Sequence, residues 1–514
     1  MKVLFRADAS AGIGTGHVMR CLAFGQAVNE AGGDCSFVVR SDQAGIVDRI
    51  RREGFGVREL TDGGDPAETL SLLSQEHPDW VVLDGYAFGI ALQQAVVSAG
   101  YRLLVIDDLA HLDRYHADAV LNQNAGAERL TYRTPRGTRL LLGPQYAVLR
   151  REFRRFRDAG REFPSRGRNL LVTMGGSDPA NATRSVLAAL DGLNAPMYVR
   201  AVVGAANPHL ASLHSAVEQS RHRIEVLTGV EEMAPLMAWA DLAISAGGST
   251  VWELACLGVP SLLCIIAQNQ EPSVQEMERQ GLCHSLGWLK DRSARDIASA
   301  IEALACDQEL RRTLSARSRA FVDGQGVGRI ISALQELSAA PRTWLLKADL
   351  QLDEVTFTNF INLDEAQREL VRTWRNRDEI RKWMFTERII APEEHRQFID
   401  RLKDGTASAY WMAAVNSRPS GVVSFQRIDL ANRSGYLGIY TVEQGMGRSI
   451  MRQFVRLWFD LLGMQTLRCE VREGNDRAYA FYTSAGFRET GRAVHALEGT
   501  DKPARILELV RPSS

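Results

Sequence analysis

The stretch Arg6-Ala7-Asp8-Ala9-Ser10-Ala11-Gly12-Ile13-Gly14-Thr15-Gly16-His17 decides the fold. It follows the apolar run Val3-Leu4-Phe5 and opens onto Val18-Met19-Arg20-Cys21-Leu22-Ala23-Phe24, whose apolar residues recur at helical spacing, so it reads as strand, glycine loop, helix. Glycines at 12, 14 and 16 let backbone N–H groups approach a ligand without Cβ interference, and the helix start adds positive potential. An anion or a developing negative charge belongs there. A dinucleotide fingerprint would want a third glycine where His17 stands and an acidic residue closing the second strand. That strand, Cys35 to Val39, ends in Arg40, which disfavours a nicotinamide cofactor. His17 is then either a helix-terminal side chain satisfying a carbonyl or a group with chemistry to perform, and the loop keeps the second reading open.

At 514 residues the chain has room for about three domains. Hydrophobic content of 45% and charged content of 24% are ordinary for a globular protein, and a formal net charge of −1 implies no general attraction to nucleic acid or to an anionic membrane. Seven cysteines are scattered without a C-x-x-C pair or zinc spacing, which points to reduced thiols and a cytoplasmic setting. Lys2 and Arg6 leave no room for the apolar core of a signal peptide, and no apolar run reaches a membrane span.

The alternation continues with buried parallel strands at Trp80–Asp84, followed by Gly85-Tyr86, and Arg102–Ile106, followed by Asp107-Asp108. Ligands of open α/β sheets sit at the carboxyl ends of strands, so Tyr86 and the two aspartates point to the same edge as His17; Tyr86 is equally consistent with a rim aromatic. Asp107, Asp108, His111 and His116 match no metal-ligand spacing, and no metal is expected. The Arg-rich run Arg150 to Arg157 reads as a solvated connecting helix rather than a nucleic-acid stripe, and a boundary is placed there.

A second α/β unit begins with the strand Asn169–Thr173, then Met174-Gly175-Gly176-Ser177-Asp178-Pro179 and a helix from Ala180, with Asp178 as its cap. Strands are expected at 198–203, 224–227, 242–245 and 261–266. Between the last two, Ala246-Gly247-Gly248-Ser249-Thr250 ahead of a helix offers N–H and O–H donors to a pyrophosphate. Glu253, one turn in, is placed to accept from a ribose diol, or simply stabilises the helix dipole.

Two doubly wound domains aiming glycine loops at the space between them make a cleft of the kind that handles nucleotide sugars. Gly14-Thr15-Gly16-His17 with Gly247-Gly248-Ser249-Thr250 and Glu253 resembles the GT-B superfamily. More closely, Arg6-Ala7-Asp8, the run Gly12 to Leu22 and Met174-Gly175-Gly176-Ser177-Asp178 are similar to the UDP-2,4-diacetamido-2,4,6-trideoxy-β-L-altropyranose hydrolases of pseudaminic acid synthesis, over about residues 1–338. The resemblance implies that His17 activates water, that Tyr86 and Asn269 lie near the sugar, that Glu253 holds the uridine ribose, and that Ser249 and Thr250 meet the phosphates. Gly14, Gly16, Gly176, Ser177 and Gly248 complete the expected substrate-binding set.

After the linker Ser338 to Arg342 the pattern changes. A helix-like segment from Leu370 to Trp383 precedes strands at 410–415 and 421–428, separated by the hairpin signal Asn416-Ser417-Arg418-Pro419-Ser420. A strand at 436–440 runs into Gln444-Gly445-Met446-Gly447-Arg448 and an amphipathic helix reaching Leu462; a strand at 467–471 leads to Asn475 and a helix carrying Tyr482, closed by Gly486-Phe487. These features resemble the GCN5-related N-acetyltransferases over about residues 350–510. The resemblance implies that amides of Gly445, Gly447, Arg448 and Ser449 bind the pyrophosphate of acetyl-CoA, that Asn475 contacts it, and that Tyr482 protonates the leaving thiolate; core packing is the other reading of Tyr482. Val442 stands where that family has Gln or Arg, so the loop looks shortened. Trp374-Arg375-Asn376 and Ile380-Arg381-Lys382-Trp383-Met384 are similar to the pathway's acetyltransferase for a UDP-4-amino sugar.

The expected architecture is therefore α/β: two Rossmann-like doubly wound lobes of GT-B type (1–150 and 151–340) and an α+β acetyltransferase domain (350–514). The expected partners are a UDP-amino-sugar and acetyl-CoA, with neither nucleic acid nor membrane. The loop chemistry alone also suits an inverting glycosyltransferase, because a base beside the anomeric carbon activates an alcohol as well as water, or a nucleotide-sugar sensor without turnover.

Overall fold

A computed structural model describes residues 1–10, 14–42, 44–60, 66–176, 178–204, 207–497 and 500–511. Among them the strands form three sheets. The first lobe contains β1 (Lys2–Ala9), β2 (Asp34–Ser41), β3 (Gly56–Glu59), β4 (Trp80–Asp84), β5 (Arg102–Ile106), β6 (Ala119–Asn122) and β7 (Arg139–Leu142), in the order β3-β2-β1-β4-β5-β6-β7. Every pairing is parallel. Helices cover both faces, which is why Trp80–Asp84 is buried at every residue and shows no alternation.

The second lobe repeats the plan with β8 (Asn169–Thr173), β9 (Tyr198–Val203), β10 (Arg223–Thr228), β11 (Leu242–Ala246), β12 (Ser261–Ile265) and β13 (His284–Trp288), ordered β10-β9-β8-β11-β12-β13 and again parallel. The helix after β8 starts at Ala182, two residues later than the sequence suggests. Asp178 takes a left-handed φ of +38° and reaches forward, its carboxylate accepting from the amides of Ala182 (2.7 Å) and Thr183 (2.9 Å). The connecting helix Arg151–Arg157 exposes Arg151, Arg154 and Arg155, as expected of a solvated helix, but its other face is packed: Phe153 lies among Trp252, Leu254 and Leu257, while Arg157 donates to the carbonyls of Cys256, Val322 and Arg319, each at 2.7 Å. The helix Gly326–Ala339 returns to the first lobe, burying Ile330 and Leu334 against its core.

The third domain adds β14 (Leu350–Leu352), β15 (Val355–Asn359), β16 (Ala409–Val415), β17 (Arg418–Asp429), β18 (Ser434–Thr441), β19 (Thr466–Arg472), β20 (Arg488–Leu497) and β21 (Thr500–Val510), ordered β14-β15-β16-β17-β18-β19-β21-β20. The β16–β17 hairpin turns on Asn416 and Ser417 alone, both at positive φ (48° and 64°), the geometry whose twist suits a two-residue loop. The helical segment expected over 370–383 is broken: Glu365–Asn376 ends where Arg377 becomes extended (ψ 140°), and a short helix Asp378–Arg381 follows.

The linker reading of Ser338 to Arg342 is overturned most clearly. Arg342 is buried and pairs bidentately with buried Asp118, Nε to Oδ1 and Nη2 to Oδ2 both at 2.8 Å, while the Trp344 indole donates to the same carboxylate at 2.9 Å. One apolar cluster runs from Val96 and Val97 of the first lobe through Trp344, Leu345 and Leu346 to Trp411 and Phe454 of the third domain. The junction is a packed interface.

Candidate active sites

β1 ends at Ala9, and the loop closes on itself where the Gly14 amide donates to Ser10 O at 2.8 Å, Gly14 at φ +73°. The helix Gly16–Glu30 follows, with Thr15 at its N-cap making no side-chain cap bond. Ala11, Gly12 and Ile13 lie outside the described residues. His17, in the first turn, stands beside the carboxyl end of β4, and its Nδ1 lies 2.7 Å from Asp84 Oδ1. An ionised carboxylate only accepts, so Nδ1 carries a proton towards Asp84, and in the neutral tautomer this fixes, the lone pair is on Nε2; Arg20 Nη2 lies 3.3 Å from the same Nδ1.

Arg20 stands one turn further along the same helix face. Its Nε and Nη2 donate to the two oxygens of Asp84 at 2.8 and 2.7 Å, and its Nη1 and Nη2 to those of Asp108 at 2.8 and 3.0 Å. Burial works to raise the Asp84 carboxyl, but the Arg20 charge and the hydrogen bonds from His17 and Arg20 prevail and hold it at about 2. Burial likewise opposes the Arg20 charge, yet Asp108 and Asp84 raise the guanidinium well above its ordinary value. His17 thus rests on a carboxylate that stays ionised throughout the neutral range.

Tyr86, two residues past β4, packs edge-on to His17 with ring centroids 5.1 Å apart. Burial and the nearby Asp108 push its phenol up to about 12, so it stays neutral, while the Asn269 side chain close by acts in the lowering direction. Asn269 belongs to the turn Gln268–Gln270 after β12, so the second lobe approaches Tyr86 there. His17, Tyr86 and Asn269, far apart in sequence, meet at one place. The glycine loops also face each other there: a Cβ added at Gly176 would come within 3.9 Å of Thr15 Oγ1. Ser177, expected beside Gly176, lies outside the described residues.

In the second lobe the Gly247 amide donates to Cys264 O at 2.9 Å, and a Cβ there would sit 2.3 Å from Val274, so only glycine lets the chain pass. Gly248 follows, and Ser249 caps the helix Thr250–Leu257 without using its hydroxyl. Glu253 is held from the interlobe segment by Arg150 Nη2 at 3.3 Å, whose Nη1 reaches Glu152 at 2.9 Å. Burial raises the Glu253 carboxyl, with Arg150 opposing. The aspartate and histidine residues weighed as metal ligands have other partners: Asp107 accepts from the amides of Leu109 (2.8 Å) and Ala110 (3.1 Å) and contacts His111 at 2.9 Å, while His116 packs on Trp344 at the interdomain junction. No group of three or more such ligands occurs among the described residues.

In the third domain β18 and β19 pair in parallel only over Ser434–Tyr436 and Thr466–Arg468, then diverge. The opening leads to Gly445, at φ +84°, and to the start of the helix Gly447–Arg456, where Gly447 lies close under Phe481. The Ser449 hydroxyl is held by Glu354. Asn475 caps the helix Asp476–Ser484, its Oδ1 accepting from the Ala478 amide at 3.2 Å. Tyr482 is buried between Phe481 and Phe487, and burial raises its phenol well above the ordinary value. Arg448 is exposed at the helix start.

Asp84, Arg20, Asp108 and Arg150 were missed as site residues in the sequence. The only signal was position: Asp84 and Asp108 close or follow buried strands at the edge that carries His17.

The chain matches the glycosyltransferase family 28 C-terminal domain over residues 170–323 and the acetyltransferase (GNAT) domain over residues 358–488. It is 24% identical over 507 residues to an uncharacterized protein of Methanocaldococcus jannaschii, covering 95% of this chain and 97% of that one. It is 25% identical over 284 residues to the UDP-2,4-diacetamido-2,4,6-trideoxy-beta-L-altropyranose hydrolase of Campylobacter jejuni, 55% of this chain and 97% of that protein. Over another 135 residues it is 27% identical to the acetyltransferase PseH of the same species, 26% of this chain and 84% of that protein. Both resemblances drawn from the motifs thus meet relatives of those names. No helix among the described residues is long and apolar enough to cross a membrane.

Proposed function

We propose that this chain carries two consecutive activities of pseudaminic acid synthesis, in the cytoplasm. Its third domain transfers acetyl from acetyl-CoA to the amine of UDP-4-amino-4,6-dideoxy-N-acetyl-β-L-altrosamine. Its first two lobes hydrolyse the resulting UDP-2,4-diacetamido-2,4,6-trideoxy-β-L-altropyranose to UDP and the free sugar. The observation that carries the hydrolase reading is the His17–Asp84 pair, set beside Tyr86 with Asn269 of the other lobe close by.

In this reading, water bound to Nε2 attacks the anomeric carbon from the face opposite UDP. Its proton passes to Nε2, Asp84 stabilises the imidazolium through Nδ1–H, the C1–O bond breaks with inversion, and UDP leaves with the electron pair. Amides of Gly248, Ser249 and Thr250 at the helix start meet the diphosphate charge, Gly14, Gly16 and Gly176 line the approach, and Glu253 accepts from the ribose. No metal takes part. In the third domain the neutral sugar amine attacks the thioester carbonyl, the C–S bond breaks with coenzyme A leaving as the thiolate, Tyr482 gives that thiolate its proton, and the proton shed by the nitrogen as it becomes an amide restores the phenol. Amides of Gly445, Gly447, Arg448 and Ser449 face the pyrophosphate of acetyl-CoA, with Asn475 beside it.

The family 28 match favours one second reading, transfer of the sugar to an alcohol. Incubating the purified chain with acetyl-CoA and the 4-amino UDP-sugar, followed by mass spectrometry, separates them. Acetylation followed by UDP release without any added acceptor supports the hydrolase; acetylation with UDP release only when an alcohol is supplied supports the transferase; no acetylation overturns the proposal for the third domain.

A further inference from the structure

The contacts that join the third domain to the first lobe lie where the strands of the first-lobe sheet begin. Arg342 donates to Tyr101 O at 3.1 Å, just before β5, and pairs with Asp118, just before β6. The Trp80 indole, at the start of β4, donates to Ser338 Oγ at 2.9 Å, and Arg456 reaches Ser98 O, at the end of the helix Ile90–Ser98, at 3.0 Å. His17, Asp84 and Tyr86 stand at the other ends of the same strands. Five residues of β4 separate the two edges, about 16 Å.

The third domain shows the same polarity. Its interface side is made by residues at the start of β18 and the end of the long helix: Arg433 donates to Ala339 O at 2.7 Å, and the Arg342 amide to Leu462 O at 3.1 Å. The splayed strands and Gly445 lie at the opposite ends. The helix Gly447–Arg456 spans the distance from glycine loop to interface, ten residues or about 15 Å. The named polar contacts lie at the edges away from both openings; the strand Leu350–Leu352 also packs on the helix Ile90–Ser98, and the buried Asp118–Arg342 pair with its apolar surround ties the domains together.

We infer that the acetylated UDP-sugar leaves the third domain into solvent and enters the interlobe cleft as a free molecule, so that the fusion fixes the ratio of the two activities without passing the intermediate by hand. This rests on the proposed pair of reactions. The reaction that precedes must supply a nucleotide sugar with a free amine, and the pool between the two steps exchanges with bulk.

The test uses the full chain. Acetylation of the 4-amino UDP-sugar and UDP release from supplied diacetamido UDP-sugar are first measured separately; loss of either overturns the functional reading and this inference with it. The chain is then given the 4-amino sugar, trideuteroacetyl-CoA and a pool of unlabelled diacetamido UDP-sugar, and the free sugar is followed by mass spectrometry. The expected result is that free sugar released in each interval carries the labelled fraction of the bulk UDP-sugar in that interval, with a lag in UDP release that lengthens in inverse proportion as enzyme is diluted when no pool is added. Free sugar richer in deuterium than the pool from the first turnovers, or a lag independent of dilution, overturns the inference while leaving both activities standing.

Discussion

At the edge of the first lobe, four ionisable side chains interlock within a few ångströms: His17 on Asp84, Arg20 on Asp84 and Asp108. At the glycine turn of the third domain the arrangement is reversed. The Ser449 hydroxyl is turned to Glu354, the Asn475 side chain caps its own helix, and the chain turns at Gly445 with φ +84° past the point where β18 and β19 part. Both places use the start of a helix, but one adds chemistry through side chains and the other through the path of the main chain. Side-chain substitutions should therefore wound the first site and scarcely mark the glycine turn itself, leaving Tyr482 as the side chain of the third domain to test.

The largest expected effect is at His17. His17→Ala removes the base, and UDP release from the diacetamido sugar should fall by about 10⁴-fold, near the upper range for general-base catalysis. Near-normal turnover would break the comparison at its root. Asp84→Asn keeps the shape but offers an amide that can donate to Nδ1 and so stabilise the wrong tautomer; UDP release should drop about 10³-fold, measured with UV circular dichroism to check folding.

Tyr482→Phe should slow acetylation by about 10- to 100-fold if the phenol protonates the thiolate, with UDP release from supplied intermediate as the control. An unchanged rate assigns Tyr482 to packing between Phe481 and Phe487. Asp84 also links stability to pH. Its folded value, about 2, lies below the ordinary 3.8, so the ion pair stabilises the fold above pH 4 and that stabilisation fades as pH falls towards 2. The difference between wild type and Asp84→Asn in urea unfolding should shrink by roughly 2 kcal/mol across that window. The smallest effect is expected at Ser449→Ala, where acetylation should stay within about threefold because the hydroxyl is turned to Glu354. A loss as deep as that of Asp84→Asn would erase the distinction between the two regions.

The same distinction governs what was legible in the sequence. Glycine turns and buried strands are local signals, so β4, β5 and β8 were read to the residue and both glycine loops were placed on helix starts. Asp84 is different. As text it closes an apolar strand, and its meaning arises from Arg20 and His17, more than sixty positions earlier, being brought over it. Arg150 looked like one member of a basic run until the fold supplied Glu152 and Glu253. Ser338 to Arg342 has the composition of a linker, and only the distant Asp118 turns Arg342 into an anchor. Asp178 shows the same limit on a smaller scale: its cap reaches four residues ahead through a left-handed backbone that no propensity scale anticipates.

The Asp118–Arg342 pair also sets an order of events during synthesis. Asp118 emerges from the ribosome 224 residues before the guanidinium that neutralises it. Until then the nascent first lobe holds that carboxylate with the Leu103 amide at 2.9 Å and the Arg102 guanidinium at 3.6 Å alone, short of its bidentate partner, and the helix Gly326–Ala339 that completes its other core has barely appeared. The amino-terminal unit is made first but finishes late, and a chaperone that shields the region around Asp118 through those seconds of translation would guard the step on which the whole chain depends.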